Sequence, residues 1–398
     1  MAVTVLSLRL VDEWGSFVPA GTFDAFRNDL GLTYRQAALV LAVIAPGGIA
    51  GSAFSILADS RSRRVIATGG ALGYAVSMFV FAASNSLGPL CAAAFLLGVA
   101  ATAMVDGVEV AIVDLAGDAL ESTMARVNIG ASIGDLVGPI IVSAVGFLGL
   151  SWRVAFVITG CVMLVFAVVV ACTPLPKPTA HQREAHSPVR DTLALLSMPR
   201  IWCAGGIGAM LVAIDEAYLA FVISHFRHTL HQSRGVATAI AGGGIVAGLI
   251  ATIVIARRDE AAPNPIRRMR VAATALLVGA VVIALATNVV VAVIGTLIAD
   301  AAIIFIWLPF QALMLRMVPG RAGTVNAIVG AVGMIGLAIP PAIGWTVDRH
   351  GLRIGLLAYA LVPIALIALA NRRLDTPAPT PTPNATPNAT PNATPNVH

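Results

Sequence analysis

Eight carboxylates interrupt stretches of sequence that are otherwise apolar: Asp12, Glu13, Asp106, Glu109, Asp135, Asp215, Glu216 and Asp300. An ionised carboxylate at a bilayer centre costs at least about 2.5 kcal/mol on insertion scales, so such residues are kept for a partner or a function. Arg9, one turn before Glu13, is the clear cationic partner. Where a carboxylate at that depth has no partner, desolvation disfavours the charged form, the condition for taking a proton on one side and losing it on the other. Asp12 or Glu13, Asp215 or Glu216, and Asp300 are therefore the main candidates for proton coupling or substrate binding. Neighbours on a helix point about 100° apart, so one member of each Asp-Glu pair faces a cavity, and the choice of member stays open. Asp106 and Glu109, three apart, share a face near a helix end, where both a site role and snorkelling are open. Asp135 reads as an interhelical packing group bonded to Asn128 or Ser132. Trp14, Tyr218, Phe221, Trp307 and Gln311 are candidate cavity-lining residues for an amphipathic or aromatic solute, with interfacial packing as the alternative for each.

The elements that must position these groups follow from composition. The 398 residues are 58% hydrophobic and 11% charged, whereas a soluble domain carries about 25% charge, so a water-soluble globular protein is excluded. Lys177, in Pro-Lys-Pro, is the only lysine, so the chain has no Gly-Lys-Ser/Thr phosphate loop and no P-loop ATPase of its own. Cys91, Cys161, Cys172 and Cys203 lie in apolar runs without a CxxC pair and read as small core residues. His225, His228 and His231 read as external-loop histidines with no nearby carboxylate rather than as a metal site.

A membrane-crossing helix needs about 20 apolar residues. Twelve such runs are expected, near 2–26, 34–57, 65–84, 88–112, 126–147, 153–173, 201–224, 236–256, 271–287, 289–312, 323–345 and 354–371. An even number places both termini on one side. Alternate loops and the tail hold 17 of the 25 basic residues, against seven in the opposite loops, which places both termini in the cytoplasm and the chain in the cell (inner) membrane. The basic balance follows from that asymmetry and calls for no nucleic-acid partner. The organisation expected is an N-terminal six-helix bundle over 1–173, a cytoplasmic linker over 174–200, a C-terminal six-helix bundle over 201–371, and a disordered Pro/Thr/Asn-rich tail over 372–398.

The two halves have the pattern of copies. Val11-Asp12-Glu13 and Phe26-Arg27 in the first run are answered by Ile214-Asp215-Glu216 and Phe226-Arg227 in the seventh. Val127-Asn128 with Gly130, Gly134, Gly138 and Pro139 in the fifth is answered by Val325-Asn326 with Gly330, Gly333, Gly336, Pro340 and Pro341 in the eleventh. Repeats of this kind place a carrier's binding site at their interface near the midplane.

Between the second and third runs, Ser55-Ile56-Leu57-Ala58-Asp59-Ser60-Arg61-Ser62-Arg63-Arg64 resembles the loop signature of the major facilitator superfamily. That resemblance implies an all-α membrane protein of twelve transmembrane helices in two pseudo-symmetric bundles. It also implies that Asp59, Arg63 and Arg64 form a cytoplasmic latch between the halves, loosened by the serines that depart from the signature. A similar pattern, Gly344-x-x-x-Asp348-Arg349-x-Gly351-x-Arg353, falls on the opposite side and reads as an ordinary turn. The packing motif Gly134, Asp135, Gly138, Pro139 resembles the glycine-proline signature of the superfamily's drug:proton antiporters, with Asp135 as an insertion and Val142-Ser143 in place of the usual glycines. The run Ala94-Phe95-Leu96-Leu97-Gly98 lacks the arginine that often precedes it in that branch. The resulting expectation is a monomeric secondary transporter, not an enzyme, without a cofactor and driven by a proton gradient. It would export small amphipathic or cationic molecules by alternating access. An importer of a small metabolite, a lipid-like carrier and a transporter-like receptor without turnover are the alternatives.

Overall fold

The computed structural model describes residues 2–58, 63–116, 120–173, 196–214, 216–258, 264–317 and 322–370. Every regular element among them is helical: α1 Ala2–Gly21, α2 Phe23–Asp29, α3 Tyr34–Ala58, α4 Arg63–Ala83, α5 Leu87–Ala116, α6 Leu120–Phe147, α7 Arg153–Cys172, α8 Pro199–Ala213, α9 Glu216–His228, α10 Arg234–Arg258, α11 Pro265–Leu285, α12 Val289–Arg316, α13 Ala322–Gly333, a 3-10 turn Met334–Ala338, α14 Ile339–His350, α15 Leu352–Tyr359 and α16 Leu361–Leu369. Ten stretches of described helix are long and apolar enough to cross a membrane. α1, which carries Arg9, Asp12 and Glu13, is not one of them, and in α6 only the shorter Ile133–Phe147 qualifies as apolar.

Local chemistry explains where the helices start. Asn264 and Asn288 cap α11 and α12, each side chain accepting from the backbone N–H two residues on, Ile266 at 2.9 Å and Val290 at 2.7 Å. Asparagine at this position satisfies an N–H that the first helical turn leaves without a partner. The 3-10 turn at Met334–Ala338 precedes Pro340 and Pro341, where the missing N–H groups break the regular ladder.

Helices before residue 174 pack mainly on one another, α1 on α6, α3 on α5, and α4 on α5 and α7. Those after 196 do the same, α11 on α12, α10 on α12 and α8 on α13. The glycine ladder of α6 serves this packing: a Cβ on Gly138 would lie 2.8 Å from Phe17 Cβ, and one on Gly134 would lie 2.9 Å from Leu10 Cα, both on α1. The two groups touch where α6 meets α10, α3 meets α14, and α1 and α2 meet α9.

All four cysteines are free, and Cys203 donates to the Leu369 carbonyl at 3.0 Å. Asp59 of the expected latch, most of the expected linker and the tail lie outside the described residues. Arg63 opens α4, and Arg64 beside it is exposed.

Candidate functional site

A cavity of about 230 Å³ lies between the two groups of helices, lined by Glu13 and Phe17 of α1, Asp135 of α6, Tyr218 of α9, Gly244 and Gly248 of α10, and Asp300 of α12. Among the described residues, its wall includes three carboxylates and no lysine, arginine or histidine. Asp300 is the most isolated of the three. Its Oδ2 is buried and has no hydrogen-bond partner among the described residues, and the buried Tyr218 hydroxyl is in the same state. Gly244 makes room for this group, because a Cβ there would overlap the Asp300 carboxylate. Glu13 is differently placed: Arg9 donates to it at 3.4 Å and to Asp12 at 3.2 Å, so one guanidinium serves both members of the pair.

Of the Asp12/Glu13 pair, Glu13 lines the cavity. Asp135, expected at a helix–helix seam, lines it too, on a stretch of α6 that Gly134 and Gly138 bring close to α1. Asp215 and the side chains of Glu216, Asp106 and Glu109 lie outside the described residues. Of the five expected lining residues, Tyr218 lines the cavity. The other four do not: Trp14 and Phe221 are buried in the core, and Trp307 and Gln311 are exposed on α12. Phe221 packs away from the cavity because aromatic neighbours surround it, Phe23 at 5.3 Å, Tyr34 at 6.0 Å and Tyr359 at 5.7 Å between ring centroids.

That aromatic cluster is the floor of a clasp joining the two groups of helices at one end. Its centre is Asp24 on α2, 2% exposed, a residue that lies inside the first apolar run but was not among the eight candidates. Arg27 donates to Asp24 Oδ1 at 3.2 Å and Asn28 to Oδ2 at 3.1 Å. Across the interface, Arg227 donates to Oδ2, and His228 Nε2 lies 2.7 Å from Oδ1. The two arginines of the repeated Phe-Arg sequence thus converge on one carboxylate, a signal that was present in the sequence. His228 therefore has a carboxylate partner, contrary to the expectation for the external histidines, because α2 folds back beside α9. His225 is fully buried rather than in an external loop.

The segment Gly344–Arg353, expected to be an ordinary turn, is also part of this closure. Asp348 accepts from the backbone N–H groups of Tyr34 at 2.7 Å and Arg35 at 3.0 Å, so it caps α3 from the other group of helices. Gly344 permits the approach, since a Cβ there would lie 2.7 Å from the Tyr34 carbonyl and the Arg35 nitrogen. Gly351, at φ 84, then turns the chain into α15. Beside the clasp, Asp29 accepts from Arg153 at 2.5 Å and from Trp152 Nε1 at 3.1 Å. These two hydrogen bonds, Arg153 first, hold its carboxyl below the usual carboxylate range.

A cavity between two helical groups, closed at one end by contacts between them, is the form of a carrier, and the sequence profile of the Major Facilitator Superfamily matches residues 5–341. The chain belongs to the major facilitator superfamily. It is a multi-pass membrane protein and, as a member of that superfamily, a secondary transporter. No curated protein sequence matches it. Solved structures share the fold at low identity. A bacterial homologue of the human lysosomal transporter Spinster, inward-facing and occupied, is 13% identical with a TM-score of 0.77 over 93% of this chain and 95% of that one. A D-xylose–proton symporter is 15% identical, with a TM-score of 0.77 over 94% and 96%. The nucleoside transporter NupG is 15% identical, with a TM-score of 0.73 over 92% and 98%.

Proposed function

We propose that this superfamily member is a proton-coupled exporter of small cationic or amphipathic molecules, working by alternating access between two six-helix bundles, 1–173 and 201–371, of twelve transmembrane helices. The observation that carries the reading is the charge of the cavity: Glu13, Asp135 and Asp300 with no basic side chain among the described residues of the wall. A site with this lining favours a cation over an anion. Asp300 is the group assigned to exchange proton for substrate, since its Oδ2 has no partner among the described residues. A bound cation favours the ionised carboxylate and a bound proton the neutral one, so each is released when the other arrives.

The arginine distribution supports both termini in the cytoplasm of the inner membrane, which makes the clasped end the outer one. The structure is then closed on the outer side, and transport requires the Asp24 and Asp348 contacts to part. The chain is read as a monomer that uses no cofactor. Asp59, Arg63 and Arg64 remain the proposed latch of the opposite state.

The test is flux in proteoliposomes of the full chain with an imposed pH gradient and an internal pH dye, using a panel of organic cations and neutral analogues of similar shape. Export of cations with counterflow of protons, lost in Asp300→Asn, is the expected result. Co-directional movement of solute and proton would replace the antiport reading with symport. Cation flux that moves no protons at any pH between 5 and 8 would overturn proton coupling.

A further inference from the structure

Asp300 Oδ2 on α12 and the Tyr218 hydroxyl on α9 are both buried without a hydrogen-bond partner among the described residues, and both residues line the central cavity. Buried polar atoms in native proteins are almost always paired, so each exception asks for a ligand or a function. Packing, not hydrogen bonding, fixes the phenol: the Tyr218 ring stands edge-on to Tyr359 on α15, with 5.2 Å between centroids. The two groups are close enough for the Asp300 charge to act on the phenol.

The rest of the lining sets the other half of the requirement. Phe17, Leu219, Ile245 and Ile303 give the cavity apolar sides, and Glu13 and Asp135 add carboxylates to that of Asp300. At about 230 Å³ the space is small. An apolar cavity of about 150 Å³ holds benzene, and drug-sized ligands fill about 300 Å³ or more. The occupant that fits is a single ring or short chain bearing one positive centre. A quaternary ammonium would balance the charge, but it has no N–H and would leave both oxygens unpaired. An ammonium with two or more N–H groups can donate to Asp300 and to the Tyr218 oxygen together.

We infer that the cavity selects primary and secondary amines, as their ammonium ions, over quaternary cations, with Asp300 and Tyr218 as the two acceptors that recognise the N–H groups. The inference rests on the proposed cation site and narrows the cation it takes. Tyr218 is then a specificity-determining residue: losing its hydroxyl removes an N–H acceptor without changing the charge of the site. A buried group left unpaired costs about tenfold in affinity. That cost is how a site built to hydrogen-bond a ligand rejects an analogue without the donor. The direction of transport and its coupling to protons do not enter.

Isothermal titration calorimetry on the full chain in lipid nanodiscs, at neutral pH and without a gradient, tests this. The probes are 2-phenylethylamine, its N,N,N-trimethyl derivative, and 2-(4-isopropylphenyl)ethylamine, a primary amine with as many non-hydrogen atoms as the quaternary ion. Both primary amines should bind about a hundredfold more tightly than the quaternary ion, about tenfold for each oxygen left unpaired. Tyr218→Phe should lower that preference to about tenfold, weakening the amines and leaving the quaternary ion unchanged. Equal binding of the quaternary ion and the primary amine of its size by the wild type would overturn the inference and leave the cation site standing. Exclusion of both larger probes, with 2-phenylethylamine bound, would assign the selection to size and overturn it too. No binding of any probe would overturn the cation site and the inference with it. An undiminished preference in a Tyr218→Phe variant with a wild-type melting transition would overturn the two-acceptor site.

Discussion

Asp24 and Asp300 are both carboxylates embedded in apolar helices, and their surroundings differ in the ways that decide what a carboxylate can do. Asp24 is enclosed by Arg27, Asn28, Arg227 and His228, drawn from both groups of helices. Asp300 faces a cavity whose wall holds two more carboxylates, and its Oδ2 has no partner among the described residues. The first arrangement gains from staying as it is, because the opposing charges offset the desolvation of each. The second can be completed by something that arrives. One carboxylate is enclosed by partners and the other keeps an open oxygen, and the difference lies in the partners, not in the residue type.

The largest effect expected from this contrast follows Asp24→Asn. Removing one partner of a buried ion pair typically costs about 3–5 kcal/mol, because the cations left behind lose their compensation. The melting temperature in detergent should fall sharply, and cysteine reporters placed beside Phe23 and Phe221 should become more reactive. The same change at Asp300, Asp300→Asn, should leave the melting temperature unchanged or raise it, since it neutralises a group with an unsatisfied oxygen. A drop at Asp300 equal to that at Asp24 would erase the comparison.

Gly244→Ala sharpens the contrast from the other side. The added methyl would overlap the Asp300 carboxylate, and overpacking of this kind costs about 1–3 kcal/mol. Asp300→Ala in the same chain should restore the melting temperature by opening the space, whereas Asp24→Ala should not. A melting temperature unchanged by Gly244→Ala would place Asp300 further from α10 than the structure has it.

Asp348→Ala should have a smaller effect, about 1 kcal/mol, the ordinary worth of a helix cap. Its distinguishing feature is where the loss is read: amide exchange at Tyr34 and Arg35 should rise, with exchange across α12 unchanged. Protection at Tyr34 that survives the substitution would remove Asp348 from the closure.

The smallest effect belongs to Asp29. Its carboxyl is held low by Arg153 and Trp152, so its contribution to stability is present above the usual carboxylate range and is lost as pH falls through its lowered value. The side chain is 47% exposed, which keeps the contribution slight. The difference in melting temperature between the wild type and Asp29→Asn should be small near neutrality and vanish in acid. A difference that grows on acidification would reverse the sign of the assignment.

Much of the helical framework was legible in the sequence because the bilayer imposes it: apolar runs of sufficient length must become helices, whatever their neighbours. The boundary at Asn288 and the small-residue face of α6 were equally readable, since capping and close packing depend on residue type and local spacing. The repeated Phe-Arg pairs marked α2 and α9 as counterparts. The partners could not be read. That Arg27 and Arg227 share Asp24, that Asp348 caps a helix 313 residues away from it at Arg35, and that Phe221 is core while Asp135 faces the cavity all depend on how two groups of helices meet. An apolar helix can present any face to protein or to lipid at similar cost, because lipid tails are as apolar as leucine. The sequence by itself therefore determined the helices and the carboxylates they carry, and only the tertiary structure decided which carboxylate is fastened and which is left open.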